Sequence, residues 1–461
     1  MNSAATPPPV PRRPSALICK MLVIGVLVLA LLIPLAMIRS VLDERLERRD
    51  AAIAEITSTW GPTQIVAGPV LVVPYRYPVK TWKDQAVAGR TERVEVTGTA
   101  IGRAFFLPAE FEAEGVLSPE VRYRGIYRAV VYRARLALSG AFRPPSFEEW
   151  KIPPEDVMWE DAFVFLSVED LRGAQGVLAM QWDNRPVQLT PAERLSNLRG
   201  VEARLRLDGP MSAPTRFRLE LTLNGSGGLR IAPVGDTTLV RLSSTWPDPS
   251  FQGAFLPTER EIGPDGFRAQ WQVSYYGRGY PPQWVEKEEG GARAAALLPS
   301  SLLGVDLISL LDAYRYVERS IKYGALIIVL VFTAFFLFEA LSRVRVHPFP
   351  YVLVGAALCL FYLALLSLSE FLPFGWAYLI GAAAATLLIS WYAAAVLRGG
   401  RRGAYLALGL ALVYAFLYVI LRLQDYSLLL GTIGLFLVLA LVMAATRRVD
   451  WYAREAADGD A

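Results

Sequence analysis

The chain has 461 residues, 53% of them hydrophobic, and a formal net charge of +4 with no long basic block. That allows two or three folding units and excludes the electrostatic footprint of a nucleic-acid binder. A single histidine, His347, excludes a histidine-based zinc site within one chain, and Cys19 and Cys359, both in apolar runs, leave the long segment between them without a disulfide.

Residues 1–15, with Thr6-Pro7-Pro8-Pro9, are expected to form a disordered cytoplasmic leader. Ala16 to Ile38 is long and apolar enough to cross about 30 Å of hydrocarbon at about 1.5 Å per residue. Arg12, Arg13 and Lys20 flank its start, and no acidic residue precedes Asp43. A cleaved signal has a core of about 7–15 residues ending at small residues. This stretch is longer and runs into a charged helical pattern over residues 41–56, so it reads as an uncleaved anchor with a stalk.

Beyond the stalk the period switches to two. Val130, Tyr132, Ala134, Leu136 and Leu138 alternate with Arg133 and Arg135; Ala203, Leu205 and Leu207 alternate with Arg204 and Arg206. The same holds for Phe217 to Leu223 and for Phe267 to Val273. Such runs are strands with one buried and one wet face. Turn signals separate them at Asp208-Gly209-Pro210, Asn224-Gly225 and Asp265-Gly266, and Gly225-Ser226-Gly227-Gly228 reads as a hairpin turn. The pattern predicts an antiparallel, sandwich-like β domain within residues 39–322. A faint duplication pairs Arg133–Gly140 with Arg218–Gly225, followed by Phe165-Leu166-Ser167 and Arg241-Leu242-Ser243 in the same order.

No catalytic motif is present: no Walker loop, nucleophile elbow, His-Glu-x-x-His or dinucleotide fingerprint. Glu148-Glu149 and Glu169-Asp170 are read as strand neighbours facing opposite sides, hence as solvated surface. The expectation is a protein that is not an enzyme and has no cofactor or metal site.

Asp306 to Ile321, with Leu307, Leu310, Leu311, Tyr314 and Val317 at helical spacing, reads as a second stalk. Five spans follow: Tyr323 to Leu341, Tyr351 to Leu368, Gly375 to Leu397, Ala404 to Ile420 and Leu428 to Ala445. Arg343, Arg345 and His347 follow the first of these, Arg398, Arg401 and Arg402 the third, and Arg447, Arg448 and Arg454 the fifth. The other two loops hold one basic residue between them. Basic short loops stay in the cytoplasm, so six spans place both termini and residues 447–461 there and export residues 39–322. The fold class is therefore an α+β membrane protein: one N-terminal transmembrane helix, a β-rich periplasmic domain and a C-terminal bundle of five transmembrane helices.

Two acidic residues stand near the ends of spans, Glu339 toward the cytoplasm and Glu370 at the outer face. Each reads either as an interfacial structural group or as part of an ion path; burying such groups is costly. The central turns of the last five spans carry no charge, which weighs against a proton-coupled transporter. Tyr314, Tyr316, Tyr323, Tyr351, Trp376, Trp391 and Tyr392 fit interfacial aromatic belts.

Several stretches carry a family resemblance. They are Ser58-Thr59-Trp60-Gly61-Pro62, Gly68-Pro69-Val70-Leu71-Val72-Val73-Pro74, Arg124-Gly125-Ile126-Tyr127 and Ser243 to Phe251 running on to Gly253-Ala254-Phe255-Leu256-Pro257. Gly266-Phe267-Arg268-Ala269-Gln270-Trp271, Arg319 to Tyr323, Phe335 to Glu339, His347-Pro348, Leu366 to Glu370 and Val449-Asp450-Trp451-Tyr452 complete the set. In order and over nearly the whole chain after residue 15, these resemble the CreD family of inner-membrane proteins, also described as colicin-tolerance proteins. The resemblance implies an inner-membrane protein under a two-component system, linked to envelope integrity, colicin tolerance and β-lactam response. It implies no catalytic residues. Trp246, Pro247, Pro249, Phe251 and Phe255 form an aromatic loop that either docks a partner or packs on its own sandwich. The expected partners are the bilayer and an envelope protein or cell-wall component; a transporter or lipid-handling protein is the alternative, and a periplasmic hydrolase a further rival.

Overall fold

Period-two burial is what closes the β domain. Along Thr215–Ser226, Phe217, Leu219, Leu221 and Leu223 point inward while Arg216, Arg218 and Glu220 face water. The neighbouring strand Tyr127–Phe142 buries Tyr132, Ala134, Leu136 and Leu138 to match. The structure is a computed structural model that describes residues 16–87, 90–174, 178–195, 198–287, 300–307, 313–342, 346–396, 400–423 and 426–447. The expected leader and most of the expected tail lie outside the described residues. The chain divides into two compact units, Met1–Arg49 with Leu311–Ala461, and Asp50–Leu310.

The second unit is a sandwich of two sheets. Among the described residues one sheet has nine strands, in the order Pro249–Gly253, Leu303–Leu307, Gly228–Ile231, Gln64–Val87, Phe163–Val168, Leu198–Arg204 and Thr190–Leu195. Arg90–Phe106 and Gln283–Glu286 branch from it beside Gln64–Val87. The other has eight, in the order Glu259–Gly263, Gly266–Ser274, Thr237–Ser244, Glu110–Arg124, Tyr127–Phe142, Thr215–Ser226, Ala179–Trp182 and Arg185–Gln188. Two pairings are parallel, Gln64–Val66 with Leu229–Ile231 and Thr237–Ser244 with Glu110–Leu117, so the fold is mixed and not purely antiparallel. Leu71, Val164 and Leu166 of one sheet share a core with Leu136, Leu221 and Trp271 of the other.

Several expectations from sequence change. The hairpin turn expected at Gly225–Gly228 is not one: Asn224 and Gly225 belong to a strand, and at Gly227 (φ +71°) the chain leaves one sheet for the other. Gly225 is needed because a Cβ there meets the Tyr132 ring and hydroxyl. The strand expected through Leu207 ends at Arg204, where the positive φ of Arg206 (51°) breaks it. Glu148 and Glu149 sit in a 3-10 turn, and Glu169 and Asp170 follow the strand Phe163–Val168, so neither pair is a strand pair. The duplicated segments lie side by side, with Leu136 opposite Leu221, while Leu166 and Leu242 fall in different sheets.

The stalk read from Asp306 begins as a strand. Leu303–Leu307 pairs with Gly228–Ile231, and Asp306 forms an ion pair with Arg230 at 2.7 Å. Leu303, Val305 and Leu307 alternate with Gly304 and Asp306, a period of two that lies mostly before the residues read as the stalk. Leu310 and Leu311 lie outside the described residues.

The first unit is helical. Helix α1 spans Ala16–Trp60, continuing into the second unit, as the anchor and stalk predict. Then come α2 (Ala313–Lys322), α3 (Gly324–Ser342), α4 (Pro348–Ser369), α5 (Phe374–Val396), α6 (Gly400–Arg422) and α7 (Ser427–Thr446). Five described helices are long and apolar enough to cross a membrane, six if α2 and α3, bent by 47°, count as one span. His347 starts α4: its Nδ1 accepts from the Phe349 N–H at 3.2 Å, and Pro348 takes the first helical position. Leu31, Leu35, Ile38 and Leu42 form the buried stripe of α1 in this unit. Gly355 lets Leu31 approach; a Cβ there lies 3.1 Å from Phe332 Cζ and collides with Leu31. Gly355→Val should therefore cost about 1–3 kcal/mol by overpacking, read as a lower thermal midpoint in detergent.

Candidate functional site

A charge at the edge of a bilayer needs a partner. Helix α1 supplies one cation near each end of its apolar run. Lys20 forms an ion pair with Glu339 of α3 and donates to the Val346 carbonyl at 2.6 Å. Glu339 also accepts from the Val346 N–H at 3.0 Å and from the Tyr351 hydroxyl at 3.0 Å. One carboxylate thus joins α1, α3 and the start of α4.

Glu370 mirrors it at the other end. It caps the C-terminus of α4, where a negative charge opposes the helix dipole. Its side chain, 8% exposed, lies 3.6 Å from Arg45 Nε and accepts from the Tyr314 hydroxyl at 3.3 Å. The Arg49 guanidinium stands over the Tyr314 ring at 5.9 Å. Lys20 and Arg45 are twenty-five residues apart on one helix, about 37 Å at the α-helical rise. Against a hydrocarbon core of about 30 Å, this puts each ion pair in an interfacial layer.

The Glu370 end of the bundle holds more polar groups than the sequence suggests. Arg319 of α2 donates to the carbonyls of Leu421 (3.2 Å) and Ile420 (3.4 Å), capping α6. Tyr316 stacks on Phe374 at 4.8 Å, and Arg422 donates to the Tyr418 hydroxyl at 3.2 Å. Deeper in, Phe361 contacts Tyr362 (4.9 Å), Tyr378 (5.5 Å) and Tyr414 (4.7 Å). The Tyr378 hydroxyl donates to the Tyr414 carbonyl at 2.7 Å. The strongly amphipathic sequence of α2 was the available signal for Arg319.

Trp246, Pro247, Pro249, Phe251 and Phe255 do not form a loop throughout. Pro249–Gly253 is an edge strand, with Phe251 opposite Val305, and edge positions tolerate proline. Phe251 packs edge-on against Phe267 (5.8 Å) and Trp271 (5.7 Å). The Trp271 indole N–H donates to the Phe255 carbonyl at 3.1 Å. Trp246, Phe251 and Phe255 pack on the sandwich core, while Pro247 is exposed.

Polar nodes inside the sandwich are structural. The Arg278 side chain is fully buried and donates to the carbonyls of Val234 and Gly235 (2.7 Å) and to Asp236 (3.2 Å), with Tyr280 beneath it at 5.3 Å. Burial pushes its pKa down. Asp170, bonded through its N–H and carbonyl to Gln64 at 3.4 Å, receives the Arg172 guanidinium at 2.6 Å. That hydrogen bond holds the carboxyl below its ordinary value. A depressed carboxylate contributes stability above its unfolded pKa of about 3.9, and that contribution is lost as pH falls through the folded value. Asp170→Asn should therefore flatten the loss of thermal midpoint below about pH 4 relative to the parent chain.

Two open grooves lie on the sandwich. One, of 570 Å³, is lined by Val116, Pro119, Ser243 and Arg268; the other, of 640 Å³, by Glu110, Glu112, Arg216 and Arg218. Among the described residues, no three His, Cys, Asp or Glu side chains gather as a metal site.

The sequence model of the family described as "Inner membrane protein CreD" matches residues 16–452. "Inner membrane protein CreD" of Escherichia coli (strain K12) is 33% identical over 430 residues, 92% of each chain. Among solved structures, an M1 zinc metallopeptidase from Deinococcus radiodurans bound to a Tyr-Ser-Ala substrate aligns with 36% of this chain and 39% of its own, at TM-score 0.21 and 14% identity. Another structure of an M1 zinc metallopeptidase from that organism gives 0.20 and 13%, over 36% and 38%. Superpositions this poor carry no argument about fold or function.

Proposed function

Because the chain belongs to the CreD family of inner membrane proteins, we propose that it is a non-enzymatic envelope protein that presents its β sandwich to a periplasmic partner. The partner is an envelope protein or a cell-wall component, and the role is in envelope integrity under stress. The observation that carries this reading is the fixing of α1 at both ends, by Lys20–Glu339 and Arg45–Glu370. Helix α1 runs unbroken to Trp60 and leads directly into the domain that follows it. The three basic loops support a cytoplasmic location for both termini. The segment Trp246–Phe255 stays the candidate contact, through exposed Pro247 and neighbouring Leu256, which is 73% exposed. A photo-cross-linker at Pro247 or Leu256 in intact membranes should capture one discrete envelope component that a probe at Arg218 does not. Identical capture at all three sites speaks against the contact.

A second reading, as a transporter or lipid-handling bundle, draws on one observation. The hydroxyls of Tyr362 and Tyr414 are buried between helices with no hydrogen-bond partner among the described residues. Such groups are costly in hydrocarbon and suit a polar guest. Under this reading Glu339→Gln and Glu370→Gln abolish the phenotype while the protein stays folded. Under the scaffold reading both changes act only through stability.

A further inference from the structure

At the Glu370 end of the helical unit, α2 and α6 bring cations together without a counter-charge. Arg319 lies in the last turn of α2, and Arg422 ends α6. Arg319 reaches the carbonyls of Ile420 and Leu421, the two residues before Arg422. The Arg422 Nε donates to the Tyr418 hydroxyl, and the guanidinium stands over that ring at 5.7 Å. The Tyr316 hydroxyl is also within its reach. Arg315, exposed, sits one turn before Arg319 on the same side of α2.

None of these three arginines has an ion pair among the described residues. The carboxylates of α2 and of the α4 terminus are engaged: Glu318 holds Lys322 at 2.9 Å, and Glu370 lies 3.6 Å from Arg45. The C-terminal carbonyls of α6 carry about half a negative charge, which a single guanidinium more than offsets. The remaining positive charge is uncompensated. Helix α6 has 23 residues, about 34 Å at the α-helical rise, against about 30 Å of hydrocarbon. Its two ends, one at Arg401 and the other at Arg422, therefore fall in opposite interfacial layers. Beside Arg422, Val419 and Leu423 leave apolar surface exposed.

We propose that this corner of the bundle seats the phosphate of an anionic phospholipid. Arg422 and Arg319 bind its oxygens, and Arg315 adds charge. The hydroxyls of Tyr418 and Tyr316 orient Arg422, and the acyl chains cover the apolar surface at Val419. Guanidinium donors match phosphate oxygens in pairs. A basic pocket between membrane helices favours an anionic headgroup over a neutral one. The inference needs the helical unit alone; neither the compartment of the sandwich nor its partner enters.

The test uses the full chain, freed of lipid in a neutral detergent and then given phosphatidylglycerol, phosphatidylcholine or inorganic phosphate. Native mass spectrometry reads what stays bound. Phosphatidylglycerol should be retained in preference to phosphatidylcholine. Arg422→Gln, which leaves the Arg319 cap of α6 in place, should weaken that retention about fivefold. Arg422→Lys should keep part of it, and adding Arg319→Gln to Arg422→Gln should remove the preference. Arg401→Gln, at the opposite end of α6, should retain phosphatidylglycerol as the parent chain does. Retention unchanged in Arg422→Gln overturns the proposal, as do equal losses in Arg422→Gln and Arg401→Gln. Displacement of the lipid by excess inorganic phosphate assigns the seat to free phosphate and overturns it too. The reading of the sandwich as the partner-binding domain stands under each of these failures.

Discussion

Replacing Glu339 with leucine should lower the unfolding free energy of the membrane unit more than the loss of any other ion pair between its helices. The change leaves the Lys20 ammonium without its counter-charge and removes the acceptor of the Val346 N–H and the Tyr351 hydroxyl. Breaking a buried pair typically costs about 3–5 kcal/mol, and Lys20, which can reach toward water, brings the expectation to about 2–3 kcal/mol. Glu339→Gln keeps an acceptor and should cost about 1 kcal/mol. Adding Lys20→Met to Glu339→Leu should recover part of the loss, since no unpaired charge remains, but not the part due to Tyr351. Unfolding by SDS in a fixed detergent reads all three. A parent-like midpoint for Glu339→Leu contradicts the assignment of this carboxylate as a clamp between α1, α3 and the start of α4.

The largest effect in the sandwich is expected at Arg278. Its guanidinium supplies donors to consecutive carbonyls of the 233–236 segment and to Asp236, with no exposed side-chain surface. Asp236 keeps Arg143 at 2.7 Å when Arg278 is lost, so its charge is not orphaned. Of the carbonyls, Pro233 keeps the Tyr280 hydroxyl at 3.0 Å and Gly235 the Thr238 hydroxyl at 3.3 Å, while Val234 loses its donor, at about 1–3 kcal/mol for a buried group left unmade. Arg278→Met should thus cost about 1–3 kcal/mol and expose the segment to protease. Lys in place of Arg cannot reproduce the planar fork and should recover less than half. The segment Gln64–Val87 should keep its protection in both variants, which separates local loosening from global unfolding.

What the sequence made legible follows from how local each signal is. Apolar runs of helical length announce themselves, and α4 to α7 begin and end within a few residues of the expected spans. The alternation in Phe217 to Leu223 and Phe267 to Val273 needs only neighbours to be read. The partners of the acidic residues were not legible, because Lys20 and Glu339 meet across more than three hundred positions. Arg278, set between Gly277 and Gly279, looks like a surface loop residue until the 233–236 segment wraps it. Gly225 misleads for the opposite reason: glycine marks a turn in most contexts, and here it marks the place where a strand passes the Tyr132 ring. Asp306 misleads because only it and Leu307 of the stalk pattern belong to the strand, and the strand pairing with Gly228–Ile231 is non-local.

Greasy helices that separate the sandwich from the basic loops by a bilayer are the physical premise of the proposal that the sandwich meets a periplasmic partner. Reporter fusions active in only one compartment, placed near residues 200 and 400 of the full chain, test this directly. The first should report the periplasm and the second the cytoplasm. A shared compartment for the two contradicts the premise.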